Sequence, residues 1–317
     1  MLELGFKLSA EEHPAPDLVR YARLGEEAGF SFAALSDHFH PWTSRQGQSP
    51  FAWAVLGGVA EATERLRVGT AVTCPSIRIH PAVVAHAAAT VATMLPGRFF
   101  LGLGTGENLN EHVLGDRWPT PGTRREMLEE AVQVIRGLWR GELFDHHGRF
   151  YTVEGARLYS RPDEPPPILI AGSGTVAAEL AGRIGDGFIG VAPDRELLQT
   201  FDRGGGAGKP KYAEIDVCWA AGEAEARKTA LEIWPNTSIP GELAAELPLP
   251  RHFEQAAKMV SQDDVGGKVV CGPDAERHLA RIREYAQAGY DHIWIHQVGP
   301  DQEGFFEFYG QEVLPKI

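Results

Sequence analysis

Residues Pro167 to Val191 read PILIAGSGTVAAELAGRIGDGFIGV. Two apolar, strand-like runs, PILIAG (Pro167 to Gly172) and DGFIGV (Asp186 to Val191), flank a helical-period stretch over Val176 to Arg183. Strands this close in sequence with a helix between them form a parallel crossover unit. The same alternation extends in both directions. Towards the N-terminus lie strands LELGFKL (Leu2 to Leu8), FAAL (Phe32 to Leu35), RVGTAV (Arg67 to Val72) and FFLGLG (Phe99 to Gly104). They are separated by helices near Asp17 to Ala28, Phe51 to Thr63 and Pro81 to Met94. A helix over Thr123 to Arg140 carries Met127, Ala131, Val134, Ile135 and Leu138 on one face, and a hairpin is expected from Leu143 to Val153. Towards the C-terminus come EIDVCWA (Glu214 to Ala220), helices Glu223 to Trp234 and Asp274 to Ala288, and HIWIHQV (His292 to Val298).

Strands alternating with helices in this number predict a (β/α)8 TIM barrel, and 317 residues fall within the range of one barrel with insertions. Residues 1–317 are therefore expected to form a single domain. Between Asn236 and Val265 the periodicity loosens around Pro240, Pro248 and Pro250, so 236–265 is expected to be an insertion over the C-terminal face of the barrel. An open, doubly wound sheet is the rival. It requires a glycine-rich turn after an early strand, but the first strand runs into KLSAEEH, and GLGTGENLN (Gly102 to Asn110) carries only a fragment of that fingerprint.

A composition of 43% hydrophobic and 23% charged residues suits a protein with a large core. The net charge of −13 opposes binding to nucleic acid or anionic membranes. No cationic stretch followed by an apolar run opens the sequence, and no run is long enough to span a bilayer, which predicts a cytoplasmic protein. Cys74, Cys218 and Cys271 lie far apart without metal-type spacing, so reduced thiols and no structural metal are expected.

In a parallel barrel, polar residues that follow the strands share one mouth. Here they are Ser9, Glu11, Glu12 and His13 after strand one, and Ser36, Asp37, His38, His40 and Trp42 after strand two. Thr73 and Cys74 follow strand three, and Thr105, Glu107, Asn108 and Asn110 follow strand four. Ser173, Gly174 and Thr175 follow strand five, while His296 and Gln297 end strand eight. Convergence of imidazoles and carboxylates at several strand ends points to acid/base chemistry. SDHFHPW (Ser36 to Trp42) is the densest segment. A zinc reading of His38 and His40 lacks further ligands at workable spacing, and in a purely structural reading Asp37 caps a helix and the histidines pack a turn. The small residues of AGSGTVAAELAGR (Ala171 to Arg183) suit a helix N-terminus that holds phosphate, although structural turns share that composition.

Together these segments resemble the luciferase-like flavin and deazaflavin oxidoreductases, and within them the coenzyme F420-dependent group related to glucose-6-phosphate dehydrogenase. The resemblance spans nearly the whole chain. It is carried by GFKLSAEEH, SDHFHPW, GTAVTCPSIRIHPAVVAHAAAT, GRFFLGLGTGENLNEH, AGRIGDGF and HQVGPDQEGFF. It implies that His38 takes the proton of a substrate hydroxyl as hydride departs, that Glu107 serves the deazaflavin N1, that Trp42 walls the substrate pocket and that Glu11 is a further acidic pocket residue. Cofactor contacts would fall on Asp37, Cys74, Thr105, Gly106 and Asn110, with Ser173, Gly174, Val176 and Ala177 around a phosphate. Cys74 stands where the sugar-phosphate enzymes have threonine. A non-prolyl cis peptide would fall at Ala71–Val72.

The departure lies at the substrate. The sugar-phosphate group grips its substrate with Thr and Lys after strand six and with Lys and Arg in the insertion. The matching stretches here read GVAPDRE, SIPGELAAELPLP and EQAAKMV, with Met259 in place of the arginine. Lost charge-assisted bonds to phosphate imply an alcohol, carbonyl or activated alkene substrate other than glucose 6-phosphate, although Lys258 or Arg251 would restore one charge. An FMN-dependent monooxygenase and a non-catalytic cofactor-binding protein are the alternatives, and a homodimer is the expected assembly.

Overall fold

The computed structural model describes residues 2–317. The strand-forming runs become β1 (Glu3–Leu8), β2 (Phe32–Leu35), β3 (Arg67–Thr73), β4 (Phe99–Leu103), β5 (Ile168–Ala171), β6 (Gly187–Gly190), β7 (Lys211–Cys218) and β8 (His292–Gln297). They pair in parallel in the order β7, β8, β1, β2, β3, β4, β5, β6, and β6 pairs back onto β7. That last pairing closes the sheet into a barrel and removes the open-sheet rival.

Side-chain alternation divides each strand between two environments. On β1, Leu4, Phe6 and Leu8 point outward into the layer beneath the helices and are almost wholly buried. Lys7 points inward and reaches Glu214 on β7. The interior is filled by Phe32, Phe100, Leu169, Ile189, Tyr212 and Trp294. The outer layer consists of α1 (Ala15–Ala28), α2 (Ala52–Ala62), α3 (Pro81–Met94), α4 (Pro121–Trp139), α5 (Thr175–Ile184), α6 (Arg195–Phe201), α7 (Glu223–Ile233), α8 (Ala275–Ala288) and α9 (Gln302–Phe308). Helices α6 and α9 escaped the periodicity reading because they are short. The hairpin pairs Phe144–His147 with Thr152–Ala156, extending beyond Val153.

The segment that looked loosely patterned contains a 3-10 turn at Pro235–Ser238 and short helices at Gly241–Glu246, Pro250–Ala257 and Gln262–Gly266. Pro240 and Pro250 open helices rather than break them, because a proline at the start of a helix removes a backbone N–H that has no partner there. A two-residue strand, Val270–Cys271, then adds to the end of β7 and makes Cys271 the register partner of Cys218. These thiols, remote in sequence, are neighbours in space, and all three cysteines are free and buried. The peptide Ala71–Val72 is cis, and the β3–β4 register shifts just beyond Thr70.

Candidate functional site

His38 stands in the turn that leaves β2, with its side chain about one-tenth exposed. Its Nε2 lies 3.6 Å from Glu11 Oε1, its Nδ1 3.3 Å from the His40 carbonyl, and its ring meets Trp42 edge-on at 5.0 Å. Glu11, only 1% exposed, accepts hydrogen bonds at Oε2 from Ser36 Oγ at 2.5 Å and Ser9 Oγ at 3.2 Å. Burial alone would raise its pKa. Facing His38, Lys7 and the Ser36 hydroxyl outweigh burial and hold it down at about 2. Glu11 thus stands as an ionised carboxylate facing His38 Nε2 and is placed to orient the ring.

Asn110 ties this turn to the loop after β4. It is 2% exposed, and its Oδ1 accepts from the backbone N–H groups of Phe39 (2.9 Å) and His40 (3.1 Å). Its Nδ2 donates to Glu107 Oε2 at 3.4 Å. Glu107, half-buried, precedes the helical turn Asn108–Glu111 and uses no side-chain oxygen to cap it. His40 turns its Nδ1 to the Leu109 carbonyl at 3.0 Å and stacks on His112. Trp42 packs on Phe253 at 5.1 Å, among Leu109 and Ile239. Beneath the insertion, Ser44 N donates to Glu254 and Asn108 Nδ2 to the Glu246 carbonyl, fastening the insertion to the loops after β2 and β4.

Asp37 is bound from within. Its Oδ2 accepts from Thr73 Oγ1 at 2.7 Å and its Oδ1 from Arg78 Nη2 at 2.9 Å. Arg78, itself buried, also faces Glu111, whose Oε2 accepts the Arg78 backbone N–H at 2.8 Å. Burial raises the Glu111 pKa despite that hydrogen bond and the guanidinium. Cys74 Sγ lies 2.9 Å from Ser76 Oγ, and burial holds the thiol far above its usual range. Gly106 has φ +73°, and a Cβ there would lie 2.6 Å from Cys74 Sγ, so the loop after β4 passes this point only as glycine. Thr105 is half-buried. Ser173, Gly174 and Val176 are exposed and Ala177 is half-buried at the start of α5, whose first turn no side chain caps.

Lys7, Glu214 and Asp216, which face the interior of the barrel, escaped the sequence reading. Lys7 bonds Glu214 at 3.2 Å, and Trp294 Nε1 donates to the other oxygen of Glu214 at 2.7 Å. Asp216 and Glu12 hold His296 from its two sides. Glu214 and Asp216 alternate with the apolar Ala213, Ile215 and Val217, and that charge inside a strand was the available signal. Glu214, Asp216 and His296 are close enough together to hold a metal ion, but Lys7 and the doubly bonded imidazole already take up their ligand atoms. In the insertion, Arg251, Lys258 and Met259 are all exposed, with Met259 at 81%.

A closed parallel barrel with an imidazole and carboxylates gathered at the carboxyl ends of its strands defines a barrel enzyme with acid/base groups at its mouth. The family model described as luciferase-like monooxygenase matches residues 3–292. The F420-dependent glucose-6-phosphate dehydrogenase of Beutenbergia cavernae is 36% identical over 329 residues, taking in 100% of this chain and 98% of that protein. An F420-dependent secondary alcohol dehydrogenase, solved in complex with an F420-acetone adduct, superposes with a TM-score of 0.92 at 29% identity over 98% of each chain. The coenzyme F420 dependent tetrahydromethanopterin reductase of Methanopyrus kandleri, at 19% identity and a TM-score of 0.81 over 99% of each chain, shares the fold. The chain belongs to the luciferase-like family, among the relatives of the F420-dependent glucose-6-phosphate dehydrogenases, and is an oxidoreductase. Among the described residues, no helix is long and apolar enough to cross a membrane.

Proposed function

We propose that this oxidoreductase exchanges hydride between coenzyme F420 and an alcohol or carbonyl substrate that carries no phosphate. The observation behind this reading is the Asn110 bridge, which joins the His38 turn and Glu107 into one rigid unit at the barrel mouth. The residues proposed around the cofactor fall into two groups. Asp37, Cys74 and Asn110 are bonded inside the protein and shape the loops. Thr105, Gly106, Ser173, Gly174, Val176 and Ala177 present accessible atoms, and the uncapped start of α5 offers N–H donors to a phosphate. The deazaflavin supplies hydride chemistry. His38, steadied by Glu11, takes the hydroxyl proton, and Glu107 holds the proton that accompanies reduction of the cofactor. Trp42, with Phe253 behind it, excludes water from the substrate side.

A substrate without phosphate is supported by the commitments of three buried cations, while Arg251 and Lys258 of the insertion stay exposed. Lys7 is bound to Glu214, Arg78 to Asp37 and Arg124 to Glu246, while Val191 stands exposed in the turn after β6. The nearby insertion presents Ile239, Leu247 and Phe253 to Trp42 and Leu109. Purified protein mixed with oxidised F420 should bleach the cofactor's visible absorbance with secondary alcohols and leave it unchanged with glucose 6-phosphate. The family's monooxygenase description supports an FMN-dependent reading as the second possibility. Tight FMN binding without deazaflavin binding would establish that reading in place of the first.

We further read residues 1–317 as one cytoplasmic domain in which 236–265 covers the mouth, supported by the Ser44–Glu254 and Asn108–Glu246 bonds. Exposed Phe51, Val83 and Met94 along α2 and α3 suit a homodimer interface, which light scattering tests.

A further inference from the structure

Behind Glu11 a second set of charged groups continues away from His38. Ser9 Oγ lies 3.2 Å from Glu11 Oε2 and 3.1 Å from Glu12 Oε1, so one hydroxyl separates two carboxylates. Glu12 Oε1 then meets His296 Nε2 at 2.9 Å, and its Oε2 accepts the Gly299 N–H at 2.8 Å. His296 Nδ1 meets Asp216 Oδ1 at 2.8 Å, and Asp216 Oδ2 accepts from Thr237 Oγ1 at 3.0 Å. His296 is fully buried, with Trp234 edge-on to its ring at 4.4 Å.

An imidazole with a carboxylate at each nitrogen makes both hydrogen bonds only as the imidazolium, the one form with two N–H donors. Glu12 Oε2 already accepts from the Gly299 N–H, and its Oε1 faces His296 and the Ser9 hydroxyl, whose single proton serves either Glu11 or Glu12. The charged and titratable groups around the ring are Lys7, Glu11, Glu12 and His13 from β1 and its loop, His38 beyond Glu11, Glu214 and Asp216 from β7, and Lys268, which donates to the Thr237 carbonyl. Burial and Lys7 oppose a charge on His296, while Asp216 and Glu12 favour it and prevail.

We propose that His296 is a positioning residue for proton transfer: a buried imidazolium that cancels the charge of Glu12 beside Glu11 and so sets the basicity of His38. Without this cation, Glu12 would add an uncompensated negative charge one hydroxyl away from Glu11. Through Glu11, that charge would stabilise the imidazolium of His38 and leave it a reluctant proton donor in the reverse reaction. The catalytic consequence rests on the role proposed above for His38, but the electrostatic coupling does not.

The test is the titration of the His38 ring, followed by NMR in histidine-labelled protein without cofactor or substrate. His296→Gln should raise the His38 midpoint and Glu12→Gln should lower it, each by about half a pH unit, the size expected for one charge some turns of side chain away in a medium of intermediate dielectric. The double variant should return close to the parent, and Asp216→Asn should shift His38 in the direction of Glu12→Gln by less. Because these readouts need no turnover, the result stands even if His38 proves dispensable for catalysis, which His38→Ala decides separately. Equal midpoints in all variants, or shifts of one sign in both single variants, would overturn the proposal.

Discussion

Asn110 and Glu107 share one hydrogen bond, Nδ2 to Oε2 at 3.4 Å, while the Asn110 carbonyl oxygen is held by two backbone donors of the His38 turn. A single buried amide thus fixes the spacing between the loop that carries the imidazole and the loop that carries the carboxylate. Its donor and acceptor ends have different partners, so no residue with only one kind of end replaces it.

Asn110→Ala should therefore lower kcat by about 100-fold, the order that follows a displacement of reacting groups by an ångström. Asn110→Asp keeps the acceptor for Phe39 and His40 but turns a second carboxylate towards Glu107. It should retain the fold and still lose turnover. Steady-state kinetics of both variants check this, and parental kcat in Asn110→Asp would show that the bridge does not govern catalysis.

His38→Gln removes the base and leaves Glu11, Trp42 and the cofactor residues in place. Loss of a positioned general base costs roughly 100- to 10,000-fold, so turnover of every active alcohol should fall by at least the lower figure while cofactor affinity, measured by fluorescence titration, stays within a few-fold. Unchanged turnover would favour a protein that only carries cofactor.

The barrel was readable from sequence because period-two apolar runs and helical runs alternate regularly, and Pro167 to Val191 already contains the repeating unit. His38, Glu11 and Trp42 were readable because they follow strands, and all such positions open on one mouth. Arg78 was not. It sits in the loop TCPSIRIH with no periodicity to mark it as buried, and its partners Asp37 and Glu111 come from other loops. The Cys218–Cys271 neighbourhood and the Lys7–Glu214 pair were hidden for the same reason. Each depends on which strands become adjacent, a property of barrel closure rather than of any local stretch.

Arg78 supplies a stability prediction. Its guanidinium is the close cationic partner of Asp37 and of Glu111, all three buried. Removing one member of a buried ion pair costs about 3–5 kcal/mol because the remaining charge is stranded. Arg78→Met should lower the unfolding free energy in urea by that order, and Arg78→Lys should recover only part of it, since one ammonium does not serve Asp37 and Glu111 together as Nη2 and Nε of the guanidinium do.

Stability should also fall on the alkaline side. In the folded protein His296 is raised from 6.5 to about 9, because Asp216 and Glu12 overcome burial and Lys7. A group whose folded pKa lies above its unfolded value stabilises fully below the unfolded pKa, near 6.5, and loses that contribution as pH climbs through about 9. The size is on the order of 3 kcal/mol, from the relation between pKa shift and free energy. Urea unfolding from pH 6 to 10 should show this decline in the parent protein and a flatter profile in His296→Gln. Glu11 acts with the opposite sign, being lowered from 4.5 to about 2, so its contribution is present above the unfolded value and disappears as pH falls through that interval. The two groups together predict a stability maximum between the carboxylate range and neutrality, and a parent protein as stable at pH 10 as at pH 6 would refute the charged state assigned to His296.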